Sequence, residues 1–429
     1  MKMELDKRMA EAVPILRRLN EAGYEAYFVG GCVRDLLMGR RLSDVDIATS
    51  AQPDSVMELF PRCVPTGLRH GTVTVLEEGK AYEITTFREE SEYEQHRRPQ
   101  AVRFIQNLEG DLLRRDFTIN AMAMDVNGEI KDPFGGVADM ERRILRCVGD
   151  PDARLQEDAL RMLRGIRFAS MFGYSISYST WKAMLRHRNL LSFIAMERVG
   201  SELDKMLSGT LPAAGLTLLG RSGLWRHFKQ VPPLNRSICA AEPFGNQPAG
   251  TWPAALDLRW AYIWISLMAD HEELRKWLLH FNFGKQRVER IAALVHMNAA
   301  AVELIDRSAA SQTGAVYLDG WIDLLLRFGR QTAMDWIELK IETGEGLLPA
   351  MTTEKLSELR RTAEELSVLS PADLAIGGDD VKAVTDKPAG PWIRRLLGEL
   401  VRACAHGQIP NTKEALLSEA AIRIEKEQT

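Results

Sequence analysis

Apolar residues in the first third of the chain follow two rhythms. Ala26–Val29, Val45–Ala48, Gly71–Leu76, Ala81–Phe87 and Ala121–Val126 are short runs rich in alternating, β-branched or aromatic residues, the pattern of strands. Asp6–Ala22, Cys32–Met38 and Pro53–Leu59 space their apolar positions three and four apart, which predicts helices between those strands. After the turn-rich Asp132-Pro133-Phe134-Gly135-Gly136 the strand signal nearly vanishes, and roughly 290 residues read as helices broken by short loops. Pro and Gly mark Glu242–Pro253 as a linker and Ser370–Gly390 as a second break. The expected fold class is α+β: an N-terminal mixed or antiparallel sheet with helices, followed by an all-α region.

Composition narrows the setting. A length of 429 residues exceeds one ordinary core and implies two to four domains or subdomains. Hydrophobic content of 45% and charge of 27% are those of a soluble globular protein, and no apolar run approaches a membrane span. The charged N-terminus lacks a signal-peptide core, and five scattered cysteines form no CxxC pair. A cytoplasmic location without structural zinc or membrane contact is expected. Net charge is −4, yet Arg142–Arg198 holds eleven Lys/Arg against five Asp/Glu. Such a basic zone suits a phosphate-rich ligand, or equally a solvated helical face.

The chemistry begins at Gly30-Gly31-Cys32-Val33-Arg34-Asp35 and Ser43-Asp44-Val45-Asp46-Ile47. Asp44 and Asp46, one residue apart on a strand, share a face, and like charges that close call for a cation. Mg²⁺ is the natural occupant, because it takes carboxylate oxygens and leaves positions open for substrate phosphates. Gly31 and its neighbour allow close approach of a triphosphate to the backbone, and Arg34 offers a planar fork for its oxygens. In Glu157–Phe168, Leu160, Leu163 and Ile166 form a buried helical stripe, with Asp158, Arg161 and Arg164 on another face. An intrahelical ion-pair ladder leaves three arginines beside two acids, an excess that needs an external anion.

These motifs resemble the polymerase-β-like nucleotidyltransferases and, within them, the class II tRNA nucleotidyltransferases, the CCA-adding enzymes. Arg114-Arg115-Asp116-Phe117-Thr118-Ile119-Asn120-Ala121 matches the family's RRDFTINA motif, and Glu157-Asp158-x-x-Arg161 its EDxxR motif. Glu197-Arg198-Val199-Gly200-Ser201-Glu202-Leu203 resembles a third segment, read as a brace for the nucleotide-binding helix. The resemblance implies a catalytic head (1–135), a base-recognising neck (136–205), a helical body (206–370) and a tRNA-binding tail (371–429). It also implies a third carboxylate at Glu83, brought in by an antiparallel neighbour strand; a surface glutamate is the alternative. Arg115 suits triphosphate charge, and Asp116 and Asn120 suit a ribose hydroxyl. Arg164 and Arg167 would face the triphosphate.

Base choice follows from donor and acceptor chemistry. Asp158 only accepts and Arg161 only donates, so cytosine and adenine, each with an amino group beside a ring acceptor, satisfy both. Uracil and guanine present the opposite polarity and leave groups unpaired. Arg88–Phe104, charged and aperiodic, reads as a mobile loop; in the family such a loop, here with Arg97 and Arg98, is linked with switching from C to A addition. The implied activity is addition of C, C and A to tRNA 3′ ends from CTP and ATP. Poly(A) polymerase, an A-only enzyme and an inactive RNA-binding protein are the alternatives, and a homodimer is left open.

Overall fold

The structure, a computed structural model, describes residues 1–94, 98–232, 252–267, 270–310, 314–344, 351–385 and 387–426. They form two compact units whose described parts are residues 1–232 and 252–426. Most of the expected linker Glu242–Pro253 lies outside the described residues.

The first unit is built on a seven-stranded sheet. Its strands are β1 (Ala26–Val29), β2 (Asp46–Thr49), β3 (Cys63–Gly67), β4 (Thr72–Glu77), β5 (Lys80–Thr86), β8 (Ala123–Met124) and β9 (Ile130–Lys131), in the order β3-β4-β5-β2-β1-β8-β9. All neighbours are antiparallel except β2 and β5, which run parallel. Helix α1 (Lys7–Glu21) starts where the Asp6 side chain accepts from the Arg8 N–H at 2.8 Å, and it buries Met9, Ala12, Val13, Leu16 and Leu19. Those residues share one core with Phe28, Ile47, Val73, Val75 and Ile84 of the sheet. Helices α2 (Gly31–Leu37) and α3 (Pro53–Leu59) follow β1 and β2 as the apolar spacing predicts. The sequence pattern misses β3 and β9. It also overextends β8, because Ala121 and Met122 are buried without joining the ladder.

Arg88–Phe104 departs from the expectation of a loop. Its described residues pair as an antiparallel ribbon, β6 (Arg88–Glu94) with β7 (Arg98–Phe104), in register from Arg88↔Phe104 to Glu94↔Arg98. A two-stranded ribbon outside the main sheet needs no alternating apolar face, so hydrophobic periodicity cannot reveal it. Arg97 lies outside the described residues, and Arg98 opens β7.

The rest of this unit is helical apart from a short parallel pair, β10 (Ile144–Leu145) with β11 (Ser175–Ile176): α4 (Leu108–Leu113), α5 (Gly136–Glu141), α6 (Pro151–Glu157), α7 (Leu160–Phe172), α8 (Tyr178–His187), α9 (Met196–Leu207) and α10 (Pro212–Ser222). The one long helix expected across Glu157–Phe168 is two, because Asp158 takes extended backbone (φ −135, ψ 103) between α6 and α7. Leu160, Leu163 and Ile166 form the buried stripe as predicted.

In the second unit every described element is helical, from Leu256–Ser266 to Lys413–Lys426. Trp260, Trp264, Trp277 and Phe281 form an aromatic cluster near its start, Trp260 stacked on Trp264 and Trp277 edge-on to Trp264 and Phe281. Val381, Trp392, Leu396, Leu400, Leu416 and Ala420 form a separate core near its end. No described helix is long and apolar enough to cross a membrane.

Phe117 packs the segment ahead of β8 against α7. It is fully buried, its ring meets Phe168 of α7 edge-on at 5.9 Å, and a Cβ on Gly165 would stand 3.1 Å from it. Phe117→Ala should cost about 3–5 kcal/mol through the cavity it leaves, read as a lower urea midpoint with unchanged slope.

Candidate active site

Asp44 and Asp46 are exposed while Val45 and Ile47 are buried, so the two carboxylates share the outer face although the ladder begins only at Asp46. Arg8 of α1 fixes the approach: its guanidinium donates to the Leu42 and Ser43 carbonyls at 2.8 and 2.6 Å. Glu83 stands beside Asp46 in register. The neighbour that brings it there is parallel, not antiparallel as the sequence suggested, and Thr74 of β4 flanks Glu83 on the other side. These residues line a cavity of about 850 Å³ with Lys7, Arg8, Glu11, Lys80 and Tyr82.

Burial raises the Asp46 carboxyl above its ordinary value; Arg115 opposes the rise, and Glu83 and Asp44 add to it. A carboxylate pushed up by burial, with two more carboxylates beside it, is a place where a cation gains. Among the described residues no three His, Cys, Asp or Glu side chains already form a metal cage. The donors therefore fit an ion that takes one or two carboxylates and completes its shell with phosphate oxygens and water, as Mg²⁺ does.

Behind this face lies a chain of buried charges. Asp111, buried on α4, accepts from Arg114 at 2.8 Å and Arg115 at 3.2 Å. Burial works against its charged form, yet the two arginines hold its carboxyl below the usual range. Arg115 lies against Gly30, where a Cβ would meet its guanidinium at 2.6 Å and where φ is +71°. Only glycine fits that position, for a packing reason the sequence did not reveal.

Arg34 departs from the phosphate fork read in the sequence. Its guanidinium grips Asp35 with two bonds, at 2.9 and 2.8 Å, donates to the Asn120 side chain at 2.5 Å, and lies over the rings of Phe168 and Phe172. Asn120 in turn donates to Asp116 at 2.9 Å, and Asp116 accepts from Arg164 at 2.8 Å. Burial alone would raise Asp116, but Arg164, Asn120 and Arg161 together bring its carboxyl down to about 2. Asp35, Arg34, Asn120, Asp116 and Arg164 thus form one relay from α2 to α7.

The arginines of α7 do not carry the unbalanced charge expected of them. Arg164 has Asp116, Arg167 donates to Glu202 of α9 at 2.7 Å, and Arg161 meets Glu157 at 2.6 Å and the carbonyls of Arg154 and Arg114 at 2.9 and 2.8 Å. Two of the balancing acids come from distant segments, so local counting could not find them. Asp158 accepts from the Leu160 N–H at 3.0 Å and from Arg198 of α9 at 2.9 Å. Arg198 and Glu202 therefore brace this region, as the third motif suggested. Gly31 lies beside Arg34, whose Nη2 would be 3.6 Å from a Cβ placed there. Sequence reasoning missed Asp111 and Arg8; the spacing of Asp111 three and four residues before Arg114 and Arg115 was the available signal.

Comparison with known proteins gives three matching family models: "Poly A polymerase head domain" over residues 26–146, "Probable RNA and SrmB-binding site of polymerase A" over 173–234, and a tRNA nucleotidyltransferase domain 2 over 256–420. The CCA-adding enzyme of Geobacillus thermodenitrificans is 40% identical over 95% of both chains, and that of Geobacillus stearothermophilus 39% identical. Among solved structures, the Bacillus stearothermophilus CCA-adding enzyme in complex with CTP aligns over 99% of both chains at 34% identity and a TM-score of 0.80. The Thermotoga maritima CCA-adding enzyme complexed with tRNA shares the fold, with a TM-score of 0.64 at 18% identity.

Asp46 and Asp116 should respond oppositely to neutralisation. A carboxyl whose folded pKa is raised loses folded stability as pH climbs past its ordinary value, so Asp46→Asn should raise the melting temperature at neutral pH in metal-free buffer. A carboxyl held low contributes stability above its unfolded value and loses it as pH falls. Asp116 should thus contribute roughly 2 kcal/mol that disappears between about pH 4 and pH 2, and Asp116→Asn should flatten that acid limb. Chemical denaturation across pH reads both; destabilisation by Asp46→Asn would assign that carboxylate a structural role.

Proposed function

The chain belongs to the CCA-adding enzyme family, and on that premise we propose that it adds C, C and A to the 3′ ends of tRNA from CTP and ATP at the Asp44–Asp46–Glu83 face. One observation carries the assignment: Asp46 and Glu83 stand in register on adjacent strands, with Asp44 on the same exposed face. Asp44 and Asp46 would hold Mg²⁺ there. When bound, the ion supplies activation of the terminal 3′-hydroxyl and neutralises charge on the leaving pyrophosphate.

The protein's own part is positioning. Arg8 holds the chain leading into Asp44, so the carboxylates keep their spacing without relying on a bound ligand. Arg115, oriented by Asp111, is the cation that opposes the rise of the Asp46 carboxyl, and it suits the triphosphate. Asp116 is kept ionised and fixed by Asn120 and Arg164, and either Asp116 or Asn120 would meet a ribose hydroxyl by exchanging one of these partners. Gly31, Arg34, Arg164 and Arg167 belong to the nucleotide site as its framework, since internal acids already occupy the three arginines.

Base readout falls to Asp158 and Arg161. Asp158 has lone pairs beyond those taken by Leu160 and Arg198, whereas Arg161 must trade an internal partner for the base. That exchange makes readout conditional on a base of correct polarity. The divisions 1–135, 136–205, 206–370 and 371–429 serve as head, neck, body and tail, with tRNA held by the helical parts. Arg97 and Arg98 belong to the segment that we assign to the C-to-A switch, in a cytoplasmic enzyme for which a homodimer remains open.

Asp44→Ala and Asp46→Ala should abolish incorporation of labelled CMP into tRNA lacking its CCA end while leaving tRNA affinity near normal. Activity within about tenfold of wild type in the double variant, a loss of under 1.4 kcal/mol, would falsify the metal assignment. Asp158→Ala and Arg161→Ala should each relax discrimination against UTP by about five- to 150-fold, the factor for one unpaired polar contact of about 1–3 kcal/mol. Weaker nucleotide binding with full C and A preference would place readout elsewhere.

A further inference from the structure

The ladder between β2 and β5 begins only at Asp46↔Glu83. Upstream of it, Lys80, Ala81 and Tyr82 pair with β4 on one side, while Ser43, Asp44 and Val45 pass on the other without pairing. These two segments and the first turns of α1 line the cavity of about 850 Å³ already described. Its cations are unequally occupied. Arg8 is committed to the Leu42 and Ser43 carbonyls, and Lys80 meets Glu11 at 2.5 Å. Lys7 lines the same cavity and, among the described residues, makes neither an ion pair nor a side-chain hydrogen bond. Lys80 first, and Lys7 after it, hold the Glu11 carboxyl below its ordinary value.

Two reactants must meet at Asp44 and Asp46, and the sheet offers them different sides. On the β1 side, Gly30 and Gly31 follow the strand that pairs with β2, and Arg115 lies against Gly30. On the β5 side lies the cavity, and Gly30, Gly31 and Arg115 are not among its lining residues. Nucleotidyl transfer sets the entering hydroxyl and the leaving pyrophosphate roughly in line, on opposite sides of the phosphorus. A triphosphate at Gly31 and Arg115 therefore leaves the β5 side to the strand that brings the hydroxyl. That strand carries a phosphodiester just behind its terminal ribose, which the three carboxylates repel unless a cation answers it.

We propose that this cavity receives the 3′-terminal nucleotide of the RNA, with Lys7 and Lys80 meeting the phosphodiester behind its ribose. The proposal rests on the tRNA reading above and names residues that hold the accepting end rather than the incoming nucleotide. A lysine on its flexible stem meets a phosphate without reading the base beside it, which suits an end whose last nucleotide changes with each addition. Glu11 competes with that phosphate for Lys80, so removing the Glu11 charge strengthens the contact.

The test measures kcat and KM for CTP and for tRNA lacking its CCA end, with tRNA affinity read by fluorescence anisotropy. The proteins are wild type, Lys7→Ala, Lys7→Arg, Lys7→Ala/Lys80→Ala and Glu11→Gln. The double variant should raise KM for tRNA by about tenfold, the worth of one charge-assisted contact, and leave KM for CTP unchanged. Lys7→Ala should lower the slope of log affinity against log salt by about 0.7, one phosphate contact on a single strand, and Lys7→Arg should restore it. Glu11→Gln should tighten tRNA binding, a gain that loss of a merely structural ion pair does not give. On a blunt hairpin of the same stem, which lacks the unpaired 3′ nucleotide, every variant should bind like wild type. Unchanged melting temperatures establish that the variants are folded. Wild-type KM for tRNA in the double variant, a raised KM for CTP, equal loss on both RNAs, or weaker tRNA binding by Glu11→Gln overturns the proposal. Failure of wild type itself to extend the tRNA would instead overturn the tRNA reading on which it rests.

Discussion

Crowding of negative charge on one face of a sheet is the constraint around which the first unit is arranged. Asp44, Asp46 and Glu83 share that face, and Asp46 ionises less readily, chiefly through burial and further through these two neighbours. A fold can keep such an arrangement only if other elements over-determine it. Arg8 fastens the Leu42 and Ser43 carbonyls, the parallel β2–β5 ladder fixes Glu83 beside Asp46, and the apolar core under Val45 and Ile47 anchors the opposite face. Glu83 and Asp44 add to the cost of charging Asp46 while Arg115 eases it, a balance that favours the binding of a divalent cation with a triphosphate.

The arginines of α7 obey the complementary constraint. Arg161, Arg164 and Arg167 would repel one another and resist burial unless each found an acid. Asp116 and Glu202 supply two of those acids from segments 48 and 35 residues away. A buried pair is costly to form but far more costly to break on one side, so these contacts enforce geometry more than they add stability. The relay from Asp35 to Arg164 consequently links α2, which follows the first strand, to the helix expected to read the base.

Much of this was legible in the chain before any coordinates. Spacing and alternation located α1, α3 and the strand carrying Glu83, because each has one buried and one wet face and so a readable period; α2 and the strand carrying Asp46 showed through their apolar content. Val45 and Ile47, alternating with Asp44 and Asp46, gave away the shared face. Long-range electrostatics were not legible: no local pattern says that Arg164 will find Asp116, that Arg34 will be occupied by Asp35 and Asn120, or that Gly30 is glycine because Arg115 lies against it. The β6–β7 ribbon escaped for a related reason, since it lies outside the main sheet and needs no apolar rhythm. The break at Asp158 was hidden because the residues on either side keep a helical period.

The account turns on whether the sheet carboxylates hold a divalent cation together with the nucleotide. Electron paramagnetic resonance of Mn²⁺, titrated into the protein with CTP present, reads this directly. Free Mn²⁺ signal should be lost on binding to wild type, and the Asp44→Asn/Asp46→Asn double variant should leave the signal of its nucleotide-only control while still binding tRNA. Retention of wild-type Mn²⁺ binding by the double variant would contradict the assignment and place the metal elsewhere in the chain.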